Sequence, residues 1–397
     1  MPATITFHPV GCGDMTLLQL ADSDQTSILV DINIRAGADD PDGEHRDVVS
    51  DLRGRLKRDA KKRPYVDAFL MTHPDEDHIR GLQKHFHLGP LADYADDEKP
   101  DAEKKIVIRE VWSSPLVYRR ADKSHVLCDD AKAFNKEAKR RVGVNRTKGF
   151  AGVEEGDRIL VMGEDEGGKT DDLGPILVKV DESFSTVNTA NKAGYFTATL
   201  LAPMPKQADA AEEEKLGKNH SSVILNMKIG ADARTSDGCR FLVAGDAEVL
   251  IWERLWNKHK SNQAVLEYDL LLAPHHCSWH TLSWDSWSEL REKAEVSADA
   301  RSALGVTRAG AVVVASSRAI KNDDKDPPCI RAKREYESIA KDANGSFKCV
   351  GEIPSEEEPE PLTFNVTAQG VQQVAKQEAG RKAAAVIGSA ATPRPHG

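Results

Sequence analysis

The 397-residue chain has no stretch of about 18 apolar residues, which is the length that a membrane-spanning helix needs. Its first ten residues, MPATITFHPV, lack the basic segment followed by an apolar one that marks a secretory signal. Its six cysteines are scattered and form no Cys-x-x-Cys pair, which argues against a disulfide scaffold and against a zinc ribbon. We therefore predict a soluble, unexported protein of the cytoplasm with no membrane partner.

The chain also lacks an excess of basic residues, because its formal net charge is −10 at pH 7. That charge disfavours non-specific coating of nucleic acid. Two local segments differ, since residues 46–63 hold eight Lys and Arg against three Asp, and residues 132–148 hold seven against one Glu. A solvated helix face is one explanation for both. The alternative is a surface that binds phosphates and stacks a base, for which the second segment offers Lys136, Lys139, Arg140 and Arg141 beside two phenylalanines.

Strand and helix signals alternate along the chain, and no internal repeat is found. Three short strands near the start, separated by turns, predict an antiparallel beginning of a sheet. Apolar runs predict strands at 4–7, 17–20, 27–32, 66–71, 106–112, 157–162, 196–201, 222–228, 241–244, 270–273, 311–315 and 362–366. Helices are expected at 47–62, 78–85, 130–141, 248–258 and 328–340. The pattern is that of a mixed α/β protein.

The most informative motif follows the apolar run 66–71 and reads Thr-His-Pro-Asp-Glu-Asp-His-Ile-Arg-Gly-Leu. A strand that ends in a tight turn can project His73 and Asp75 to one side, because residues i and i+2 share a face. Asp77 and His78 begin the next element and point to a second position. The motif predicts half of a site for two divalent ions, which hydrolases use to activate water and to stabilise the oxygens of a displacement.

Three later segments offer further ligands. An apolar run that ends in Gly-Asp presents Asp246 where it can bridge both ions. A second apolar run ends with His275 and His276, one of which can complete the second ion. Asn219 and His220 precede a third run and place polar donors where a strand begins. A lone histidine beside a strand is ordinarily a loop residue, so the prediction depends on the joint occurrence of these segments.

These motifs resemble those of the metallo-β-lactamase fold superfamily, in particular the nuclease-like domain attached to the DNA-uptake protein ComEC. The likeness spans residues 4–345 and is carried by residues 10–14, 28–31, 73–78, 219–225 and 274–276. It implies an αβ/βα sandwich of two mixed sheets flanked by helices, with the metals in a cleft at one edge. It further implies one domain over residues 1–368 with insertions near 93–150 and 203–218. Residues 369–397 are predicted to be a tail, either a frayed helix or disordered.

The resemblance also assigns roles around the metals. It implies six ligands: His73 and Asp75 on one ion, Asp77, His78 and His276 on the other, and Asp246 between them. Asp77 or Asp246 would position the attacking water, and His275 would contact the substrate or trade places with its neighbour.

The resemblance implies supporting roles for four other residues. Asp14 and Asp31 would orient imidazoles or bound water. Asn219 or His220 lies where many relatives keep another metal histidine, so His220 is a further candidate ligand.

A site with Asp75 in place of the usual second histidine is richer in carboxylate. That composition favours Mn²⁺, with Zn²⁺ or Mg²⁺ as alternatives. The chain also departs from the family, because Cys277 stands where glycine is common and residues 316–328 lack a Gly-His-Pro segment. Arg318 and Lys325 are candidates there for binding an anionic substrate, with a solvated loop as the alternative.

The leading hypothesis is a metal-dependent phosphodiesterase that cuts nucleic acid, DNA first, with the nucleic acid as its predicted partner and protein partners left open. The second is hydrolysis of a small ester, lactone or cyclic nucleotide in the same cleft. The third is a non-catalytic binding subunit of a larger assembly. One fold hosts all these activities, so the fold alone does not choose among them.

Overall fold

A computed structural model describes residues 1–120 and 126–374 of the chain. Their strands are β1 (Thr4–Phe7), β2 (Thr16–Gln19), β3 (Ser27–Val30), β4 (Ile32–Asn33), β5 (Tyr65–Leu70), β6 (Phe86–His87), β7 (Ile106–Ser113), β8 (Arg158–Met162), β9 (Leu177–Val178), β10 (Ser183–Phe184), β11 (Thr186–Val187), β12 (Ala190–Asn191), β13 (Phe196–Ala202), β14 (Ile224–Ile229), β15 (Cys239–Val243), β16 (Tyr268–Leu272), β17 (Thr307–Arg318), β18 (Ser346–Gly351), β19 (Leu362–Thr367) and β20 (Gly370–Gln373). The α-helices are α1 (Val48–Arg55), α2 (Glu76–Ile79), α3 (Leu82–His85), α4 (Leu116–Arg119), α5 (Asp129–Thr147), α6 (Ala210–Glu214), α7 (Val249–His259), α8 (Pro274–Cys277), α9 (Trp287–Leu290), α10 (Ala298–Leu304) and α11 (Ile330–Asp342).

The strands form two large mixed sheets. The first sheet has the order β20-β19-β1-β2-β3-β5-β7-β8-β9, with β6 beside β7. Its half from β20 to β3 is antiparallel and its half from β3 to β9 is parallel. The second sheet has the order β10-β13-β14-β15-β16-β17-β18, antiparallel up to β15 and parallel beyond it. A separate ribbon pairs β11 with β12.

Three apolar layers hold the sheets and helices together. The inner faces of the two sheets pack on each other, where the rings of Phe7 and Phe241 meet edge to face with centroids 5.7 Å apart. The outer face of the first sheet packs on α1 to α5, for example through Phe69 against Phe134. The outer face of the second sheet packs on α7, α10 and α11 around Trp252. The arrangement confirms the predicted sandwich of two mixed sheets flanked by helices.

Two predicted helices are shorter than expected. The first ends at Arg55, because residues 57–64 turn back toward β5 and the Asp59 carboxylate accepts hydrogen bonds from the amides of Lys61 and Arg63. The second is split into α2 and α3 at Gly81, whose φ is 92°. A Cβ atom at that position would lie 2.7 Å from Cβ of Ile34, so only glycine fits there.

At the carboxyl end, β20 lies within the segment predicted as a tail. Its residues pair with β19 in an antiparallel register, so the prediction of a frayed or disordered tail is corrected for residues 370–373. The rest of that tail, residues 375–397, lies outside the described residues. Among the helices that the structure describes, none is long and apolar enough to cross a bilayer. All six cysteines are free thiols.

Candidate metal centre

The loop that carries the metal motif, residues 71–78, is called the motif loop. Hydrogen bonds to neighbouring segments fix it at the carboxyl end of β5. The Met71 amide donates to the carbonyl of Trp112, which continues the pairing of β5 with β7. The Thr72 amide donates to Oδ1 of Asp31 at 2.7 Å. Asp31 follows β3 with a positive φ of 51°, so its carboxylate is turned back under the loop. The apolar strands therefore end where the sequence predicts, and the buried carboxylate of Asp31 supports the loop from below.

His78 lies at the centre of the site and is completely buried. Its Nδ1 lies 2.9 Å from Oδ2 of Asp31, and its Nε2 lies 2.9 Å from Oδ1 of Asp246. Asp246 follows β15, so the two sheets contribute one partner each. The carboxyl ends of parallel strands from both sheets thus meet at this imidazole.

A second set of contacts surrounds His276. Its Nδ1 lies 3.4 Å from Oδ1 of Asp14, and its Nε2 lies 3.3 Å from Oδ2 of Asp77. Asp14 reaches the site because the chain at Gly13 packs against the motif loop, where the Asp14 amide donates to the carbonyl of Asp77. A Cβ atom at Gly13 would lie 2.1 Å from the Asn33 amide nitrogen, so the approach requires glycine. The resemblance gave Asp14 a supporting role, and the structure adds it to the candidate ligands.

Two overlapping groups of three side chains have ligand atoms within 4.8 Å of one another: Asp14, His78 and His276, and His73, His78 and Asp246. All five residues are buried. Nε2 of His73 and both ring nitrogens of His276 are buried and have no hydrogen-bond partner among the described residues. Buried polar atoms normally find partners, so Nε2 of His73 and a ring nitrogen of His276 fit ligation of cations, one in each group. Imidazole and carboxylate are also the donors that Mn²⁺ and Zn²⁺ take in proteins.

Asp75 and Asp77 belong to neither of those groups, although both are predicted ligands. An oxygen of Asp75 forms an ion pair with the ammonium group of Lys218, and the same oxygen lies 3.9 Å from Nδ1 of His73. Asp77 lies beside His276 with 35% of its side chain exposed, so it lines the solvent side of the cluster. Both carboxylates therefore lie at the edge of the site and not in its buried centre.

The paired histidines follow β16 in a turn with unusual backbone geometry. His275, His276 and Cys277 all have positive φ, between 52° and 70°. Such conformations are costly for residues other than glycine and cluster at functional sites. The turn sends one imidazole into the buried cluster and leaves the other partly exposed, with Nε2 of His275 3.7 Å from Oδ2 of Asp246. The sequence left open which histidine belongs to the cluster, and the geometry selects His276.

Lys218 and Glu248 border the site and were missed by the sequence analysis. Glu248 accepts a hydrogen bond from the Asn219 amide at 2.7 Å and lies 3.4 Å from Nε2 of His220. It also lies 3.9 Å from Nδ1 of His275. Asn219 and His220 therefore contact Glu248 and neither belongs to the two candidate ligand groups. The available sequence signal for Glu248 was the Gly-Asp-Ala-Glu order just before α7. Asp246 and Glu248 are two positions apart, and residues at that spacing can reach the same cleft.

The charges in the cluster favour bound cations. Burial alone would disfavour protonated His78, yet the carboxylates of Asp246 and Asp31 raise its pKa well above the usual value. Neighbouring carboxylates likewise outweigh burial and raise the pKa of His276. Burial lowers the pKa of His73 to about 4. The excess of carboxylate that attracts protons to two imidazoles would equally attract a divalent ion in their place.

Two of the predicted substrate-binding residues, Arg140 and Arg141, form ion pairs within the protein and do not present free charges to a substrate. Arg141 is buried, and its guanidinium bonds Glu137 and the carbonyl oxygens of Ile108 and Arg158. Arg140 pairs with Glu137 and Asp157. The predictions for these two arginines are corrected, because their charges hold α5 against the sheet.

Four other predicted substrate residues remain exposed: Lys136, Lys139, Arg318 and Lys325. Arg318 donates to the carbonyl of Pro327, and none of the four belongs to the candidate ligand groups. In the first basic segment, Arg46 pairs with Asp51 and Arg63 pairs with Asp97, so part of the positive charge of that segment is neutralised.

No protein-family model and no curated protein matches this sequence. Among solved structures, a similar chain is Igni18, described as a novel metallo hydrolase from the hyperthermophilic archaeon Ignicoccus hospitalis. The two chains are 13% identical, with 92% of this chain and 100% of that chain covered, and the TM-score is 0.34. A likeness this weak assigns no role to the residues of this chain. The candidate site is defined by the geometry of the buried histidines and aspartates.

Proposed function

We propose that the protein is a metal-dependent hydrolase that cleaves phosphodiester bonds in nucleic acid, with DNA as the first substrate. The observation that carries the proposal is the convergence of buried imidazoles and carboxylates from both sheets on one edge of the sandwich. His73, His78, His276, Asp14 and Asp246 would hold two divalent ions, for which Mn²⁺ is the first choice and Zn²⁺ or Mg²⁺ the alternatives.

When bound, the ions would supply an activated water and would stabilise negative charge on the phosphoryl oxygens. The residues of the chain would do the rest. Asp31 accepts from Nδ1 of His78 and fixes the orientation of the ring, so that Nε2 faces the cluster. Asp77 lies on the solvent side, where its carboxylate can orient the attacking water. His275 is 16% exposed and close enough to the cluster to donate a proton to the leaving oxygen.

Lys218 adds a positive charge at the rim of the site. Its side chain is 25% exposed, and its ammonium group pairs with Asp75, which a bound ion would also attract. Displacement from that carboxylate would leave the ammonium free to contact a substrate phosphate. Exposed Lys136 on α5 is a further candidate contact for a longer polymer.

A second candidate is hydrolysis of a small ester, lactone or cyclic nucleotide. The ion pairs of Arg140 and Arg141 with Glu137 favour it, because they neutralise two charges of the surface expected to bind a polymer. A non-catalytic binding role is disfavoured because two partly exposed side chains, Asp77 and His275, border the buried cluster and can contact a substrate. These candidates share the metal cluster and differ in their substrates.

The test is to incubate metal-stripped protein with labelled single-stranded and double-stranded DNA and RNA, and in parallel with a cyclic dinucleotide and a lactone. Mn²⁺, Mg²⁺ or Zn²⁺ is added in turn. The catalytic variant is Asp246→Asn, and the matched control is Asp232→Asn, which changes an exposed turn carboxylate away from the cluster. Circular dichroism checks that both variants fold.

We expect metal-dependent cleavage of DNA by the wild type and by Asp232→Asn, and a loss of at least a hundredfold in Asp246→Asn. Cleavage of only the cyclic dinucleotide or the lactone would move the assignment to the second candidate. Absence of hydrolysis with every metal and substrate would contradict the proposal of an enzyme.

A further inference from the structure

A cavity of about 640 Å³ lies on the outer face of the first sheet, between α5 and the ends of β7 and β8. Its lining includes none of the candidate ligands of the metal centre. Helix α5 contributes Asn135, Ala138, Lys139, Val142, Gly143 and Arg146, whose spacing of three and four residues places them on one face of the helix. The volume falls in the range of cavities that bind small molecules.

The floor of the cavity is apolar. Ala138 and Val142 on the helix face Ile159 and Val161 on β8 across it. A Cβ atom added at Gly143 would meet no heavy atom within 4 Å among the described residues, so there is open space beside this residue in the carboxyl-terminal part of α5. A ligand would therefore bury an apolar body here, and the hydrophobic effect would supply most of its affinity.

One polar group in the wall of the cavity lacks a hydrogen-bond partner among the described residues. The hydroxyl of Ser113 is buried, the residue is 5% exposed, and the hydroxyl forms no hydrogen bond within the described part of the chain. Ser113 is the last residue of β7 and lines the cavity. A buried hydroxyl without a partner costs free energy, so a ligand with a polar head would satisfy it.

The rim of the cavity carries one available positive charge. Arg119 pairs with Asp165, Arg146 with Asp172, and Lys169 with Glu166: each of these cations is neutralised by a carboxylate. Lys139 is exposed and has no carboxylate partner among residues 1–120 and 126–374. An anionic group at the rim would therefore pair with this lysine.

We propose that this cavity binds a small amphipathic anion, with its apolar body on the α5–β8 floor, its anionic group paired with Lys139 at the rim and a further polar atom that bonds the Ser113 hydroxyl. A carboxylate and a phosphate monoester share this chemistry. The site is separate from the metal cluster, so the inference does not depend on the proposed hydrolase function.

The probe is 8-anilinonaphthalene-1-sulfonate, an apolar anion whose fluorescence rises on burial. Titration of the full chain gives affinity and stoichiometry for the wild type and for three variants. Gly143→Trp fills the cavity, Lys139→Ala removes the rim charge, and Lys136→Ala is the matched control, because it removes an exposed lysine of the same helix that does not line the cavity. The uncharged dye N-phenyl-1-naphthylamine reports the apolar contribution alone.

We expect one sulfonate dye per chain, a Kd raised at least tenfold by Gly143→Trp and about tenfold by Lys139→Ala, and no change in Lys136→Ala. Binding of the uncharged dye should not respond to Lys139→Ala. Displacement by decanoate or by phenyl phosphate would support the site and distinguish a carboxylate ligand from a phosphate. Unchanged dye binding in Gly143→Trp, or equal losses in the two lysine variants, would overturn the inference.

Discussion

Nε2 of His78 lies 2.9 Å from Oδ1 of Asp246, although the two residues are 168 positions apart in the sequence. One follows a strand of the first sheet and the other follows a strand of the second sheet. The cluster therefore forms only when the two sheets pack together. Five buried candidate ligands are drawn from four segments of the chain, so the metal chemistry proposed for this protein depends on its tertiary structure.

The first prediction concerns Asp31, which touches His78 but belongs to neither ligand group. Asp31→Asn should weaken the binding of Mn²⁺ or Zn²⁺ by about 10- to 100-fold, because the imidazole loses the carboxylate that orients its ring. Isothermal titration of metal-stripped protein measures the effect. The control is Asp67→Asn, which removes another carboxylate of the first sheet that bonds Ser27 and Arg109. Equal losses in both variants would show that Asp31 acts through stability alone.

The second prediction concerns Lys218, which pairs with Asp75 at the rim. Lys218→Met should raise KM for the substrate about tenfold with a smaller change in kcat, because the ammonium group is proposed to bind a phosphate. Metal affinity should stay the same or increase, since one competing cation has been removed. Steady-state kinetics and a metal titration measure the two effects. A loss of metal affinity would contradict this role.

The third prediction concerns the buried Arg141, which bonds Glu137 within the helix and carbonyl groups of the sheet. Arg141→Met should lower the free energy of unfolding by about 3 kcal/mol, because it leaves the buried Glu137 carboxylate with less compensation. Urea unfolding measures the change. Lys136→Met on the same helix should change the stability by less than about 0.5 kcal/mol. A stable Arg141→Met protein with weakened DNA binding would return this arginine to the substrate surface.

The fourth prediction concerns His8, which is buried and has no hydrogen-bond partner for either ring nitrogen among the described residues. Burial, assisted by the charge of Arg55, lowers its pKa from 6.5 to about 3. The unfolded chain therefore takes up a proton below pH 6.5 while the folded chain does not. Its contribution to stability is fully present above pH 6.5 and is lost as the pH falls from 6.5 toward 3.

Between pH 6.5 and pH 5 this histidine alone should cost about 2 kcal/mol of stability. The variant His8→Leu should therefore lose less stability than the wild type when urea unfolding is measured at pH 7 and at pH 5. The control His45→Leu makes the same substitution at a partly exposed histidine. Equal pH dependence in all three proteins would contradict the assignment.

The sequence predicts those parts of the fold and of the site that local sequence patterns determine. Three of the five candidate ligands follow an apolar strand: His73 follows β5, Asp246 follows β15 and His276 follows β16. The carboxyl end of a buried strand fixes the position of the next few residues, so these positions can be read without a structure.

Other features depend on contacts that no local pattern records. The basic composition of α5 does not show that the Arg141 side chain is buried. Its burial depends on the hydrogen bonds that it donates to Glu137 and to carbonyl groups of two neighbouring strands. Lys218 was missed for the same reason, since its partner Asp75 comes from a distant segment. The break at Gly81 likewise follows from its packing against Ile34.

The central claim is that the buried histidine and aspartate cluster binds divalent ions. Equilibrium dialysis of metal-stripped protein against Mn²⁺, and separately against Zn²⁺, tests it most directly by counting ions per chain in the wild type, Asp246→Asn and His276→Asn. The account predicts two ions per chain in the wild type and fewer in each variant, with all three proteins folded. No saturable binding of either ion by the wild type, or equal binding by the variants, would contradict it.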